Sequence, residues 1–450
     1  MNTALIILAA GKGTRMNSDL PKVLHPIAGE PMLIHAIEAG SRLEPAHIIV
    51  VAGHEAEQVR GAALAHDAMI TVAEQTEQLG TAHAVLQARA ALQGFEGTAL
   101  VLYGDTPFIQ PETLENMCAA LAQNDVVMLG FEAADPARYG RLIMDGQQLD
   151  RIVEYKDASE AERTITLCNS GVVACNAALL FDLIDAVDNK NASEEYYLTD
   201  IIGIARARGL SATAVTCDES ETLGVNSRAD LAAAEAGFQA RARAMLLEDG
   251  VTLTAPDTVF LARDTVIGRD TLVEPNVVFG PGVTVESGAT IRAFSHLEGC
   301  HVSRGSIVGP YARLRPGAEL AENVRIGNFV EVKNAQISEG AKVNHLTYIG
   351  DATIGANANI GAGTVTCNYD GVMKHHTHIG AGAFIGSGTM LVAPVSVGAG
   401  ALTGSGSVIT SDVEPDALAL GRAPQVEKPG MARKMFEMLR AKKAKIQRGS

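Results

Sequence analysis

VIGRDTLVEPNVVFGPGVTVESGATIRAFSHLEG, residues 266–299, carries a large apolar residue at every sixth position: Ile267, Val273, Phe279, Val285, Ile291 and Leu297. The beat returns at Leu314, Leu320, Ile326 and Val332. It returns again at Ile379, Ile385, Leu391 and Val397, and Ile409 keeps the phase past Thr403. A six-residue aliphatic repeat among Gly, Asn and small residues marks a parallel β-helix. Each hexad forms one side of a triangular coil, and three hexads complete a turn. Strand side chains alternate, so the aliphatic residue points inward and its successor outward. The phase slips near 336–348 and again over TCNYDGVMKHHTH (366–378). Such interruptions map to loops, often on a binding face.

The turn length places outward residues on one another. Arg315 and Lys333 are separated by 18 residues, one full coil, and each follows an inward residue, Leu314 or Val332. The two cations are expected on one wall about 4.8 Å apart, as a clamp for a phosphate. Exposed charges on a solvated face are the plainer alternative. His375, His376 and His378 are read as a solvated loop rather than a metal site.

Upstream the texture is different. ALIILAA, HIIVVAG, TALVLYG and DVVMLGF read as strands, and MLIHAIEAGSRL, GTAHAVLQARAAL and PETLENMCAALAQ as helices. Their alternation implies an α/β domain around a mostly parallel sheet, binding ligands at the carboxyl ends of its strands. SRADLAAAEAGFQARARAMLLEDG is rich in helix formers and ends at Gly250. The expected division is a first domain over 1–228, a helical linker over 229–249 and a β-helix domain over 250–450.

Composition narrows the class. The 450 residues exceed one ordinary domain. No run of eighteen apolar residues exists, so no membrane insertion is expected. The short apolar N-terminus lacks a basic flank and reads as a buried strand, which points to the cytoplasm. Six scattered cysteines form no CxxC pair. A formal charge of −16 argues against non-specific nucleic-acid binding. Against that trend, Arg433, Lys434, Arg440, Lys442, Lys443, Lys445 and Arg448 crowd the C-terminus, as a solvated tail or a contact for an acidic ligand or RNA.

The first strand runs directly into LAAGKGTRM (8–16), with Lys22 soon after in a Pro-Lys pair. Gly11 and Gly13 let backbone N–H groups approach phosphates. The spacing is neither that of a Walker A loop nor GxGxxG. With EQLGTAHA (77–84), LYGDTP (102–107), YGR (139–141), IVEYKD (152–157), CNSG (168–171) and GVNSR (224–228), the chain resembles the sugar-phosphate nucleotidyltransferases. Over almost its whole length it is similar to the bacterial bifunctional N-acetylglucosamine-1-phosphate uridyltransferase/glucosamine-1-phosphate acetyltransferases.

That resemblance implies a Rossmann-like nucleotidyltransferase domain followed by a left-handed β-helix. It implies acetylation of glucosamine-1-phosphate from acetyl-CoA, then uridylyl transfer from UTP. For the nucleotide and its sugar it implies Leu8, Ala9, Ala10, Gly11, Lys22, Gln75, Gly80, Thr81, Tyr103, Gly104, Asp105, Gly140, Glu154, Asn169 and Asn226. Gln75 and Gln78 lie in the stretch that reads the uracil. Asp105 and Asn226 would hold Mg²⁺, while Arg15 and Lys22 would stabilise the phosphates. In the second domain it implies His345 as the base, with Glu331 polarising its ring. Arg315, Lys333, Tyr348 and Asn359 would bind the amino sugar phosphate. Ala362, Asn368, Tyr369, Ser387, Ser405 and Arg422 would meet acetyl-CoA. It also implies a homotrimer. Ala82 and Thr76 depart from the usual pattern beside the uracil-reading residues. The competing readings are a single-activity nucleotidyltransferase with a structural β-helix, and a non-catalytic scaffold. A structural helix has no reason to carry residues 315, 333 and 345 as a set.

Overall fold

The computed structural model describes residues 2–448 apart from Arg138 and Ala192. The side chain of Arg448, counted in the basic tail, lies outside the described residues. The chain divides into two compact units: Met1–Met245 with Phe260–Asp264, and Leu246–Val259 with Thr265–Ser450. The stretch expected as a linker is one helix, Arg228–Glu248, and the division falls inside it. Gly250 follows at φ 84°, a conformation that stops a helix cheaply.

The first unit is built on one sheet. Its spatial order is Ala212–Cys217, Val126–Glu132, Leu167–Asn176, Thr98–Tyr103, Thr3–Ala9, His47–Ala52 and Thr71–Glu74. Along this path all neighbours are parallel except Leu167–Asn176, which runs antiparallel to both of its own. Two further strands of the sheet, Arg141–Asp145 and Gln148–Val153, form an antiparallel pair beside it. The first strand is buried along its whole length, and its side chains alternate between two cores. Leu5, Ile7 and Ala9 pack with the helices Met32–Ser41, Ala56–His66 and Pro111–Ala120. Ala4, Ile6 and Leu8 pack with Thr81–Leu86, Ala177–Ile184 and Asp200–Ala207. Helices on both faces of a mostly parallel sheet give the Rossmann-like layering. The loops after the central strands therefore gather at one edge.

The second unit is a three-walled parallel β-helix. Val273 pairs with Ile291, which lies eighteen residues on, and Val285 with Val302, seventeen on. Every hexad residue named above is buried, none more than 6% exposed. The phase slips have distinct causes. From Leu320 onward several coils take seventeen residues, pairing Leu320 with Ile337 and Val332 with Ile349. The second slip is an insertion: Ile354 pairs with Ile379, twenty-five residues on. The extra residues form a small hairpin closed by an antiparallel bridge between Tyr369 and Lys374. A further one-residue slip, absent from the sequence reading, falls between Leu297 and Leu314.

Candidate active sites

The first site lies where the strand Thr3–Ala9 ends. Gly13 sits at φ 58°, and a Cβ there would come 2.7 Å from the Lys22 Cβ. Glycine thus lets the loop close over Lys22. Beyond it is a cavity of about 490 Å³. Leu8, Ala9, Ala10, Gly11, Lys22, Gln75, Gly80, Thr81, Tyr103 and Asp105 line it, together with Gln78 and Glu195. Lys22 Nζ donates to Asp105 Oδ2 and, at 3.0 Å, to Asn226 Oδ1. The side chains of Lys22 and Asp105 are 11% and 19% exposed, so the pair is well shielded.

Asn226 is held by an interaction the sequence reading did not use. Asp230 accepts from the N–H groups of Asn226 (3.0 Å) and Ser227 (2.9 Å), and its own N–H donates to Ser227 Oγ at 3.2 Å. That is a capping box at the start of helix Arg228–Glu248, and Ser-x-x-Asp was the signal for it. The Val225 N–H donates to the Asp105 carbonyl at 3.0 Å, which stitches the two loops together.

A second cluster adjoins Tyr103. The Asn169 N–H donates to the Gly140 carbonyl at 2.9 Å. A Cβ at Gly140 would lie 3.4 Å from Glu154 Oε1, and one at Gly171 would lie 2.7 Å from the Tyr103 ring. Burial pushes the Glu154 carboxyl above its usual range, and Asp157 and Asp200 add to the shift. Burial likewise raises the Tyr103 hydroxyl, with Asp105 and Glu154 contributing.

Several expected contacts are otherwise engaged. Gln75 is buried, donating to Gly80 O at 3.2 Å and meeting His83 Nδ1 at 3.0 Å. Gln78 donates to Ala10 O at 2.8 Å, and Thr81 Oγ1 accepts from the Leu198 N–H at 2.9 Å. These side chains shape the cavity wall. Gly104 donates its N–H to the Leu8 carbonyl at 2.9 Å. Arg15, expected at the phosphates, is exposed on the short turn Thr14–Met16 and does not line the cavity. The turn carries it outward because only Met16 of the three is buried.

The second site follows one corner of the β-helix. Asn328 pairs with His345, and the register carries this column on through Ala362, Ser387 and Ser405. His345 Nδ1 lies 2.9 Å from Asn328 Oδ1. Glu331, expected to polarise that ring, instead binds Arg315 at 2.9 Å. Its position explains this: Glu331 opens the next wall, in register with Arg313 and Tyr348 rather than with His345. Beside the column run Gly363, Gly388 and Gly406, all at positive φ. They leave that stretch of the corner without protruding side chains. Arg422 ends the line, donating to Ser405 O at 2.9 Å.

Leu314 pairs with Val332, so Arg315 and Lys333 follow on adjacent strands of one wall. Arg315 Nε is buried and has no partner among the described residues. Lys333 has a further cationic neighbour, Lys374, on the hairpin. The Lys333 ammonium lies close enough to hold Lys374 below the usual lysine range. Tyr348 folds back over Gly350, which is in register with Lys333. Asn359 is half-buried on the strand Asn359–Ile360. Asn368, expected at acetyl-CoA, is buried and donates to Asp351 Oδ2, while Asn334 donates to Asp351 Oδ1 at 2.6 Å. Tyr369 is exposed, its hydroxyl donating to Gly371 O at 2.6 Å.

Residues 5–167 match the MobA-like NTP transferase domain. Residues 264–299 and 376–411 match the bacterial transferase hexapeptide repeat. A "Bifunctional protein GlmU" of Roseobacter denitrificans is 72% identical over all of both chains. The chain belongs to the GlmU family. Proteins of the same name from Ruegeria pomeroyi and Ruegeria sp. are 73% and 70% identical, again over the full length of both chains. Membership in the GlmU family makes this chain a bifunctional transferase, a nucleotidyltransferase in front and a left-handed β-helix acetyltransferase behind.

Proposed function

We propose that the chain makes UDP-N-acetylglucosamine at the two sites described above. The family carries the pair of activities. The column from Asn328 to Ser405 beside the cations of one wall carries the assignment of the second site. In the first step, glucosamine-1-phosphate binds with its phosphate among Arg315, Lys333 and Lys374. Tyr348 and Asn359 flank the sugar. Acetyl-CoA extends along Ala362, Ser387 and Ser405 towards Tyr369 and Arg422, over the glycine corner.

With Nδ1–H donating to Asn328, His345 keeps the Nε2 lone pair for the sugar amine. The amine nitrogen attacks the thioester carbonyl, its proton passes to Nε2, and the C–S bond breaks. The thiol leaves with a proton, and the amide remains on the sugar.

In the second step, N-acetylglucosamine-1-phosphate attacks the α-phosphorus of UTP and pyrophosphate departs. The residues present suit Mg²⁺. A carboxylate oxygen of Asp105 and an amide oxygen of Asn226 already converge on one cation, the Lys22 ammonium. Two hard oxygens from protein, the rest from phosphate and water, are what magnesium takes. When bound there it would neutralise phosphate charge. Lys22 would then turn to the phosphates, Tyr103 and Glu154 would border the sugar, and Asn169 and Gly140 would fix its amide. Arg15 would approach the nucleotide only from the open side. The enzyme works in the cytoplasm as a homotrimer. An exposed ladder of Phe294, Tyr311, Phe329 and Leu346 up one corner favours that assembly.

Two variants test the assignment. His345→Ala should lower thiol release from acetyl-CoA by roughly a thousandfold and leave pyrophosphate release intact. Asp105→Ala should do the reverse. Acetylation at the normal rate by His345→Ala protein would end the assignment of the base.

A further inference from the structure

No residue assigned above to either reaction lies on the C-terminal helix Met431–Arg448. Every residue from Gly421 to Gln447 is exposed. Met431, Met435, Met438 and Leu439 stand at i, i+4, i+7 and i+8, one face of a helix of 3.6 residues per turn. Phe436 flanks that face. The exposures of these five run from 44% to 61%. Arg433 and Arg440 stand on the opposite side, Lys434 and Lys443 at the edges, and Lys442 and Lys445 follow the apolar residues at the C-terminal end of their own side, against a single carboxylate, Glu437. The chain as a whole carries −16, so this is a cationic end on an anionic protein. Pro424, Pro429 and Gly430 lie between the helix and the last coil and set it apart from the solenoid wall.

An occupant of this helix must satisfy both faces. Nucleic acid would take the cations and leave five large apolar residues in water. The centre of a protein interface is poor in lysine. A surface of anionic headgroups takes both: apolar side chains dip below the headgroups while lysine stems reach back to them. We propose that helix Met431–Arg448 is a peripheral anchor that lays this chain on membranes bearing anionic phospholipid. The attachment is interfacial, for no described helix is long and apolar enough to cross a membrane. A single short helix gives reversible, salt-sensitive binding.

The test floats the full chain with vesicles of phosphatidylcholine, with and without phosphatidylglycerol. The chain should rise only with the anionic vesicles, and added salt should release it. Lys442→Glu, Lys443→Glu and Lys445→Glu together should cut binding by roughly a hundredfold. Met435→Asp with Leu439→Asp should abolish it. Thiol and pyrophosphate release in solution should be unchanged in both variants, which separates loss of the anchor from loss of fold. The proposal fails if the chain does not rise with anionic vesicles, or if the Met435/Leu439 variant binds as well as the parent. It also fails if that variant changes the sedimentation coefficient without vesicles, since the helix would then be covered by a second copy.

Discussion

Lys374 faces Lys333, and two ammonium groups so placed repel unless an anion joins them. Close contact with Lys333, and its charge, already hold Lys374 below the usual lysine range. A bound phosphate would reverse that balance, which fits the proposed place of the sugar phosphate. Lys374→Ala should raise KM for glucosamine-1-phosphate about tenfold with little change in kcat. An unchanged KM in a thiol-release assay would remove Lys374 from the site. Asp351 has the opposite role. Burial works to raise its pKa, but hydrogen bonds from Asn334 and Asn368 and the charges of Lys333 and Lys374 outweigh it and bring it below 3.8. A depressed carboxyl stabilises the fold above its unfolded pKa, and that stability is lost as pH falls through the folded value. Asp351→Asn should therefore lower Tm at neutral pH. The gap from the parent should persist to mildly acidic pH and close only below the ordinary carboxylate range. A gap already closed at pH 6 would contradict this sign.

The coil is an element whose stability comes from its inward ladder. Leu314 is fully buried between Leu297 and Val332. Leu314→Ala should cost about 3 kcal/mol in urea unfolding of the second unit; a loss near zero would mean the wall collapses onto the gap. The ladder was legible because one inward residue per six repeats without regard to distant contacts. The slips near 336–348 and over 366–378 were legible as positions but not as kinds, and the one between Leu297 and Leu314 was not read at all. A lost residue and an inserted hairpin both break the phase, and only pairing distinguishes Leu320–Ile337 from Ile354–Ile379. In the first unit the strands with strong apolar runs were legible. The antiparallel direction of Leu167–Asn176 was not, because a strand buried on both faces reads alike in either direction. The same limit governs the sites. Arg315 and Lys333 could be placed together from turn length alone. Lys374 reaches them only through the hairpin, and Glu331 meets Arg315 rather than His345 because the chain turns a corner between Asn328 and Glu331.

Over the whole molecule, the two reactions draw on different chemistry in different units. Among the described residues no three His, Cys, Asp or Glu side chains gather as metal ligands would. On the proposed assignment the second site works with an imidazole and cations, and the first with one carboxylate and one amide that suit magnesium. Chelation should thus stop pyrophosphate release while thiol release continues. The product of the acetyl transfer is a small, charged, soluble sugar phosphate that can leave one protein molecule and enter another. An equimolar mixture of Asp105→Ala and His345→Ala proteins should then convert glucosamine-1-phosphate, acetyl-CoA and UTP to the nucleotide sugar, after a lag in which N-acetylglucosamine-1-phosphate builds up. Following both thiol and pyrophosphate in the same vessel reads that lag directly. A mixture that releases thiol but no pyrophosphate, with each variant sound in its own half-reaction, would mean that the intermediate is handed on within one assembly and never reaches solvent.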